Sequence, residues 1–379
     1  MGEEVSSFER EMADYLGVKH FIMVNSGSSA NLAMIEALMR PSSGIPKLKL
    51  KDKVMVPAIA WPTTVWPLIQ LGLTPVFVDV DIETMAISLD CAQEILESSK
   101  ERISGIFPIH PLGLGINHEA LSEFCRKNEL TLVEDVCESL GSWQKGFHTG
   151  TTGYMSSFSF YFSHHMTTME GGGVATNNDG FANDLKSIRS HGWSRDRSDN
   201  EKWSFEVHPS MRKFNFVSTG FNIRPMEIQA AVGRSQLKDL DSFVRKRREN
   251  VQIVNEALVG TKLEILGLDK ESDILLKTDH SWMHIPIRIN DEKIQEIDIR
   301  ARIVRFLEDF GIETRPPLTG NFVKQPAMAR FGSEELQFSF PFADTLSKSV
   351  FLVGCHHDLS NEQINHLATK LRQAALDLL

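Results

Sequence analysis

Short apolar segments alternate with helical patterns in the first part of the chain, and this alternation constrains the fold more than any other feature. Nearly every residue of each segment is apolar, which is typical of strands that are buried on both faces. The predicted strands are His20 to Val24, Lys53 to Ala60, Val76 to Val80, Ile103 to His110 and Leu130 to Val133. Strands of this kind, separated by helices, predict an α/β fold with a mostly parallel sheet covered on both sides.

A glycine- and serine-rich turn, which contains Gly27, Ser28 and Ser29, follows the first predicted strand. It leads into an apolar helical pattern from Leu32 to Met39. A strand, a turn and a helix in this order point backbone N–H groups at an anion, and the helix dipole adds to the attraction. The alternative is a plain helix N-cap by Ser28 or Ser29.

Polar and aromatic side chains also mark the ends of other predicted strands. Trp61 follows the second strand, His110 ends the fourth and Asp135 follows the fifth. Ligands of open α/β sheets bind beyond the carboxyl ends of the strands, so the sequence predicts a ligand pocket at this edge. His110 could instead be a core histidine with satisfied hydrogen bonds.

The segment from Thr151 to Thr176 combines hydroxyls, an aromatic run, the histidines His164 and His165, and three glycines, Gly171 to Gly173. Glycines allow a backbone to approach another backbone or a ligand closely. The pattern predicts a buried strand that delivers side chains into the pocket. A hydrophobic strand with two chance histidines is the alternative.

Composition limits the function classes. The 379 residues carry a net charge of −10, which argues against nucleic acid as the main partner. No apolar run has the length of a membrane span, so no membrane partner is expected. The four cysteines are scattered without a C-x-x-C pair, which favours reduced thiols in the cytoplasm. The Cys355-His356-His357 run has no matching ligand set in the sequence, and we predict no metal site.

The second half of the chain predicts a smaller α+β region. A long predicted helix from Met226 to about Leu258 joins it to the first region. The next predicted strand runs from Ser281 to Ile289, and the next predicted helix runs from Ile297 to Phe310. We therefore predict a large domain over residues 1–240 and a small C-terminal domain over residues 241–379. The polar segment from Arg197 to Val217 is long enough to be a lid or an interface.

The order of motifs resembles the DegT-type sugar aminotransferases, which are pyridoxal-phosphate-dependent enzymes of fold type I. The resemblance covers nearly the whole chain. It rests on VNSGSSAN, VPAIAWPTT, PVFVDVD, VEDVCESLGS, FSFYFSHHMTTMEGG, RSHGW and GFNIRPMEIQAAVGRSQL. Each motif alone would be weak, and together they are specific.

The resemblance implies a role for several positions of this chain. Gly27, Ser28 and Ser29 match the turn that binds the cofactor phosphate, and Ser159 matches a further phosphate-binding hydroxyl. Trp61 matches the aromatic residue that stacks on the pyridine ring, and Asp135 matches the carboxylate that pairs with the pyridine nitrogen. Asn222 matches a residue that reaches the phosphate of the neighbouring subunit. A homodimer with shared active sites is therefore implied.

One position departs from the family pattern. His164 stands where the family carries the lysine that binds the cofactor covalently. Imidazole cannot form that bond but can move a proton, and its ordinary pKa lies near a working pH. We therefore expect pyridoxal or pyridoxamine 5′-phosphate to be bound without a covalent bond. His164 is preferred to His165, which lies one position past the lysine match.

The same substitution resembles the deoxysugar 3-dehydratases of this family. It implies that the cofactor removes the C3 hydroxyl of a nucleotide-linked 4-keto-6-deoxy sugar, with GDP-4-keto-6-deoxymannose as the implied substrate. His164 would be the base, and glutamate would return the amine to the cofactor. Two alternatives are a sugar aminotransferase with an altered lysine, and a non-catalytic sensor that binds the cofactor or a sugar nucleotide.

Four further residues are weaker candidates for the site. Glu138 follows Asp135 by three positions and would lie near the cofactor ring on a helical turn, although a solvated carboxylate is an equal interpretation. His191, Arg195 and His110 are candidates for contacts to the sugar or its diphosphate, because a guanidinium suits phosphate. A surface segment with incidental charges is the alternative for His191 and Arg195.

Overall fold

The computed structural model describes residues 1–40, 44–45, 48–203, 208–268, 280–291, 298–331 and 339–379. Within these ranges the chain forms a large, mostly parallel sheet, a smaller antiparallel sheet and helices that pack on both. The predicted α/β fold, with a smaller α+β region at the C-terminal end, is confirmed.

The large sheet occupies the first half of the chain. The strands of this part of the chain, residues 20–176, are β1 (His20–Val24), β2 (Lys53–Pro57), β3 (Thr74–Val78), β4 (Ile103–Ile106), β5 (Thr131–Asp135), β6 (Trp143–Gln144), β7 (Phe147–His148), β8 (Met155–Ser159) and β9 (Gly172–Thr176). The sheet has the order β1-β9-β8-β5-β4-β2-β3, and β6 and β7 pair separately. The pairs from β8 to β3 are parallel, whereas β9 is antiparallel to both of its neighbours. Every residue of β5 and β8 is buried, as expected for central strands covered on both faces.

Helices cover the sheets. They are α1 (Glu3–Leu16), α2 (Gly27–Leu38), α3 (Pro62–Gln70), α4 (Leu89–Ser98), α5 (His118–Lys127), α6 (Asp179–Ile188), α7 (Glu227–Leu237), α8 (Leu240–Leu258), α9 (Ile299–Asp309), α10 (Pro341–Ser349) and α11 (Asn361–Leu378). Among the described residues, no helix combines the length and the apolar character needed to cross a bilayer.

Helix α2 begins at Gly27, five positions before the predicted start at Leu32. Ser26 has an extended backbone, and its hydroxyl accepts a hydrogen bond from the N–H of Ser29 at 3.1 Å. Ser26 is therefore the N-cap, and the alternative of a cap by Ser28 or Ser29 is wrong. The consequence is that Gly27 and Ser28 belong to the first turn, where backbone N–H groups are free to face a ligand.

The predicted continuous helix from Met226 to Leu258 is wrong, because two helices, α7 and α8, occupy that range. The N–H of Asp239 bonds to the carbonyl of Gln236 at 3.1 Å, so the chain makes a tight turn between them. Helix α8 then packs against α11. We retain the division at residue 240 as a proposal, since α8 starts there and packs on the C-terminal helix.

The smaller sheet consists of β10 (Leu263–Ile265), β11 (His284–Ile289), β12 (Thr314–Arg315) and β13 (Val350–Gly354), in the antiparallel order β10-β11-β13-β12. The predicted strand from Ser281 starts three residues late, at His284. The predicted helix from Ile297 corresponds to α9, and Ile297 itself lies outside the described residues.

The segment predicted as a lid or an interface contains two short 3₁₀ helices, Asn200–Trp203 and Pro209–Phe214. Residues 204–207 lie outside the described part of the chain. The rings of Phe214 and Phe216 stack on Trp193 with centroid distances of 5.6 and 6.1 Å. The role of this segment stays a prediction.

Candidate active site

A cavity of about 500 Å³ lies beyond the carboxyl ends of β5 and β8, and strands of the small sheet form its opposite wall. Of the predicted site residues, those that line it are Gly27, Ser28, Trp61, Asp135, Glu138, Ser159 and His164. These residues come from four separate segments of the chain, and the topology of the parallel sheet brings their segments to one edge.

The first turn of α2 and the end of β8 form a tight cradle in this cavity. A Cβ atom on Gly27 would lie 2.5 Å from the Cβ of Ser159, so only glycine fits there. A Cβ on Gly172 would lie 2.5 Å from the backbone nitrogen of Gly27, so this position also requires glycine. Ser29 does not line the cavity, and its hydroxyl accepts a hydrogen bond from that of Ser26 at 3.0 Å.

Asp135 ends β5 and is 4% exposed. One carboxylate oxygen accepts hydrogen bonds from Asn31 Nδ2 at 2.8 Å and Thr64 Oγ1 at 2.7 Å, and the other accepts from the N–H of Cys137 at 3.1 Å. Among the described residues Asp135 has no cationic partner. The carboxylate is thus held rigidly, and its charge is left for a ligand in the cavity.

Asn31 and Thr64 were missed by the sequence analysis. Both are buried polar residues in helices that otherwise present apolar residues to the core. A buried polar side chain near a strand end is the signal that could have found them, since such groups require a partner.

Glu138 lies beside Asp135 and is half-buried. Its Oε2 accepts a hydrogen bond from the N–H of Leu112 at 3.0 Å. Burial raises the pKa of Glu138 to about 7, and the charge of Asp135 acts in the same direction, whereas the bond from Leu112 opposes both. Glu138 can therefore take up or release a proton near neutral pH, which favours the pocket interpretation over the solvated one.

His164 follows β8 in a turn that is closed by a bond from its N–H to the carbonyl of Tyr161 at 3.0 Å. The residue is half-buried, and its enclosed Nδ1 has no hydrogen-bond partner among the described residues. Burial lowers the pKa of His164 to about 3, and the charges of His284 and Arg247 act in the same direction. The expectation of an ordinary pKa near the working pH is therefore corrected: desolvation keeps the imidazole neutral.

The neighbouring His165 is fully buried and does not line the cavity. Burial lowers its pKa well below the usual range, and the charge of Arg247 contributes. Of the two histidines, only His164 is placed to meet a ligand in this cavity.

The small sheet provides cavity residues that sequence reasoning missed. Met283 and His284 lie at the start of β11, and Arg315 ends β12. Burial lowers the pKa of His284 to about 4, with further lowering by Arg247 and Arg315. Ser163, next to His164, and Glu170 also line the cavity.

Besides Ser29, four predicted residues do not line the cavity of this single chain. His110 is buried, with Nε2 2.9 Å from Glu134 Oε2 and Nδ1 accepting from the N–H of Ile116 at 3.0 Å. It is thus a core histidine with satisfied hydrogen bonds, which was the alternative interpretation from the sequence. The other three, which are exposed on the surface, are His191, Arg195 and Asn222.

The three exposed residues have local partners. His191 has a left-handed backbone with φ of 61°, and its N–H bonds to the carbonyl of Phe221 at 2.8 Å. The guanidinium of Arg195 lies 4.1 Å from the ring centroid of Trp193. Asn222 Oδ1 accepts from Arg224 Nε at 3.2 Å. Their predicted contacts to a substrate or a neighbouring cofactor stay predictions.

In the structure, Asp358 lies beside the two histidines of the Cys355-His356-His357 run. Asp358 lies 3.7 Å from a ring nitrogen of each histidine, and ligand atoms of the three side chains lie within 4.8 Å of one another. The N–H of Asp358 donates to His356 Nδ1 at 3.2 Å, so this nitrogen already has a partner. The group lies at the surface, away from the cavity.

Comparison with known proteins identifies the class. The sequence profile of the DegT/DnrJ/EryC1/StrS aminotransferase family matches residues 1–372. The chain therefore belongs to that family, as the motifs predicted.

Within this family, the chain is similar over nearly its whole length to one kind of enzyme. A GDP-4-keto-6-deoxy-D-mannose 3-dehydratase of Yersinia pseudotuberculosis is 35% identical over 98% of this chain and 92% of its own. A mutant GDP-4-keto-6-deoxymannose-3-dehydratase crystallised with GDP-perosamine has a TM-score of 0.87 and 32% identity, covering 98% of this chain and 93% of that one. A crystal structure of the same kind of enzyme, with a trapped PLP-glutamate geminal diamine, has a TM-score of 0.86 and 32% identity, covering 99% and 93%.

Proposed function

We propose that this chain is a pyridoxal-phosphate-dependent dehydratase that removes the C3 hydroxyl of a nucleotide-linked 4-keto-6-deoxy sugar, namely GDP-4-keto-6-deoxymannose. The observation that carries the proposal is His164 in the cavity, at the position where the family carries its lysine. The similarity to GDP-4-keto-6-deoxy-D-mannose 3-dehydratases over 98% of the chain supports the substrate.

The residues present fit the cofactor. The free N–H groups of the α2 first turn and the Ser159 hydroxyl would hold its phosphate. Trp61, which is 52% exposed, would stack on the ring. The buried Asp135 carboxylate, which has no cationic partner among the described residues, suits a protonated pyridine nitrogen. No cavity lysine is present among the described lining residues, so we expect non-covalent binding.

The bound cofactor supplies an electron sink that allows the C3–O bond of the sugar to break. His164 is proposed to transfer the proton in this step. As a neutral imidazole it accepts a proton, and because its pKa is low, the protonated form gives that proton up readily to the departing hydroxyl. Glu138 can hold a second proton near neutral pH. In the net reaction the sugar would lose its C3 oxygen as water, and the amine that the cofactor supplies would leave as ammonia, so an amino donor must replace it.

We further propose glutamate as the donor that returns the amine, because a relative traps a glutamate adduct of the same cofactor. The cavity offers Arg315 to an anionic donor or substrate.

A homodimer with shared active sites is part of the proposal. Asn222, His191 and Arg195 are exposed in the single chain, where a neighbouring subunit's cofactor or substrate could be reached. Light scattering should report a dimer. Mixing inactive His164→Asn and Asn222→Ala chains should restore activity if the sites are shared. A cytoplasmic location, without nucleic acid or membrane as partners, stays a prediction from composition.

Incubation with cofactor, glutamate and a panel of GDP-, CDP- and dTDP-linked 4-keto-6-deoxy sugars tests the function. Mass spectrometry should find a GDP sugar that has lost one oxygen and gained no nitrogen. An amino sugar would identify an aminotransferase instead. Binding without any turnover, and no change of cofactor absorbance with glutamate, would identify a sensor.

A further inference from the structure

Two neutral side chains outside the cavity lining hold the Asp135 carboxylate. Asn31 Nδ2 at 2.8 Å and Thr64 Oγ1 at 2.7 Å both donate to the same oxygen, Oδ2. Asn31 is 1% exposed and Thr64 is fully buried, and neither residue lines the cavity. They can therefore act on a ligand in the cavity only through Asp135.

The neighbouring carboxylate on the same strand is held differently. Glu134 is buried, and its Oε2 lies 2.9 Å from His110 Nε2. Its Oε1 accepts hydrogen bonds from the N–H groups of Thr152 at 3.0 Å and Gly153 at 2.7 Å. Both oxygens of Glu134 are thus occupied within the core, whereas Asp135 lines the cavity. A cationic partner would neutralise Asp135 before a ligand arrived, but neutral donors fix its direction and leave its charge.

Asn31 carries a cost that its helix does not require. The other buried residues of α2 are apolar, and Asn31 Oδ1 has no hydrogen-bond partner among the described residues. A buried polar atom without a partner is destabilising, and an apolar side chain at this position would avoid that cost. The hydrogen bond to Asp135 is the gain that sets this asparagine apart from an apolar residue.

The two hydrogen bonds also join three segments of the site. Asn31 lies four residues after Gly27, on the helix whose first turn would hold the cofactor phosphate. Thr64 lies in the first turn of α3, and its N–H bonds to the carbonyl of Trp61 at 3.0 Å. The phosphate turn, the stacking residue and the carboxylate are therefore connected at Oδ2 of Asp135.

We propose that Asn31 and Thr64 are positioning residues, which orient the Asp135 carboxylate and keep the proton that it shares with the pyridine ring of the cofactor on the ring nitrogen. This rests on the proposed function, in which Asp135 pairs with that nitrogen. Two donors on one carboxylate oxygen make it a weaker base, so a shared proton stays with the other partner. A protonated ring is the better electron sink for breaking the C3–O bond.

Fluorescence titration with pyridoxamine 5′-phosphate tests the proposal, in comparison with an analogue that has C–H in place of the ring nitrogen. Thr64→Val and Asn31→Leu each remove one donor at nearly constant volume. Each should raise the dissociation constant of the cofactor about 10-fold and leave that of the analogue unchanged. A purely structural role would weaken both ligands equally. Equal weakening of both, or no change for either, would overturn the proposal.

Three further variants complete the binding experiment. Thr64→Ser keeps a donor hydroxyl and should bind the two ligands as the wild-type protein does. Thr131→Val is the matched control, because Thr131 is a buried threonine at the opposite end of β5 and does not line the cavity. A cofactor-selective loss in Thr131→Val would contradict the proposal. Thr64→Ala replaces Thr64→Val if the latter does not fold, and Asn31→Leu decides independently.

The ¹⁵N NMR signal of bound, ring-labelled cofactor gives a second readout. It should be that of a protonated pyridine nitrogen in the wild-type protein and move toward the unprotonated position when Asn31→Leu and Thr64→Val are combined. A signal that stays in place would count against the proposal.

The proposed function and this inference fail in different ways. If the wild-type protein binds neither ligand, the proposed function fails. Crystal structures of the cofactor-free proteins then decide the role of Asn31 and Thr64. The Asp135 carboxylate should rotate in Thr64→Val and Asn31→Leu, and a carboxylate that keeps its wild-type orientation in both would overturn the inference.

Discussion

The two walls of the cavity are built in different ways. On the side of the large sheet, Gly27, Asp135 and His164 each lie within a few residues of a strand end, so local sequence places them. On the side of the small sheet, Met283 and Arg315 arrive from segments that are distant in sequence. The large-sheet wall carries the groups proposed to bind a cofactor and to move a proton, and the small-sheet wall carries the cation Arg315.

Contacts between distant segments position the small-sheet wall. The N–H of Met283 donates to the carbonyl of Leu112 at 2.8 Å, and the N–H of Leu112 donates to Glu138 at 3.0 Å. The two walls are thus joined through the backbone of Leu112. Arg247 Nη1 also donates to the carbonyl of Met283 at 3.0 Å. We therefore expect substitutions in the large-sheet wall to change the chemical step and substitutions in the small-sheet wall to change the binding of an anion.

The largest effect should come from the large-sheet wall. His164→Asn should lower kcat about 1,000-fold, because an amide cannot accept the proton that a positioned base accepts. Steady-state kinetics measures the loss, and cofactor binding should persist. His366→Asn, at an exposed histidine of α11, is the control and should keep normal activity. Retention of more than a tenth of the activity by His164→Asn would remove His164 from its proposed role.

Asp135→Asn should lower kcat about 100-fold, because a buried charge that faces the cofactor would be lost without a change of shape. The dissociation constant of the cofactor, measured by fluorescence titration, should rise as well. Asp179→Asn is the control, since Asp179 is an exposed carboxylate paired with Lys19. Equal kinetics for the two variants would contradict the assignment of Asp135.

A smaller effect should come from the small-sheet wall. Arg315→Gln should raise the KM of the sugar or of glutamate about 10-fold and change kcat much less, because Arg315 offers charge to an anion without touching the proton path. Arg330→Gln, at an exposed arginine outside the cavity lining, should have no effect. A fall in kcat as large as that of Asp135→Asn would erase the distinction between the walls.

The smallest effect concerns Glu138 and stability. Its pKa is raised in the folded state, so its contribution is complete below the unfolded pKa of about 4.5 and is lost as the pH rises to about 7. Glu138→Gln should abolish this loss, which we place at about 1 kcal/mol because solvent reaches the cavity. Urea unfolding of both proteins at pH 5 and pH 8 measures it. An equal pH dependence in the two proteins would show that Glu138 is not desolvated.

The sequence was sufficient for the features that depend on local pattern. Apolar strands predicted the parallel sheet, and the glycine turn and Asp135 were placed correctly at its edge. The helix start at Gly27 was missed, because Ser26 has capping chemistry that does not stand out among the three serines of the turn. The break between α7 and α8 was missed, because neither Lys238 nor Asp239 interrupts a helical pattern.

The rest depended on three-dimensional packing. His284 and Arg315 enter the cavity only because β11 and β12 pair with β13, and no local motif marks them. The low pKa of His164 follows from burial, which sequence spacing does not give. Likewise, His110 ends a predicted strand, yet its ring turns toward Glu134 in the core.

Isotope tracing with ¹⁵N-glutamate tests the central claim most directly. The protein, its cofactor and GDP-4-keto-6-deoxymannose are incubated with the labelled donor, and nitrogen is followed into ammonia and into the sugar. We predict that the label appears in ammonia and that the GDP sugar lacks both the label and one oxygen. Label bound to a sugar that keeps its C3 hydroxyl would contradict the account.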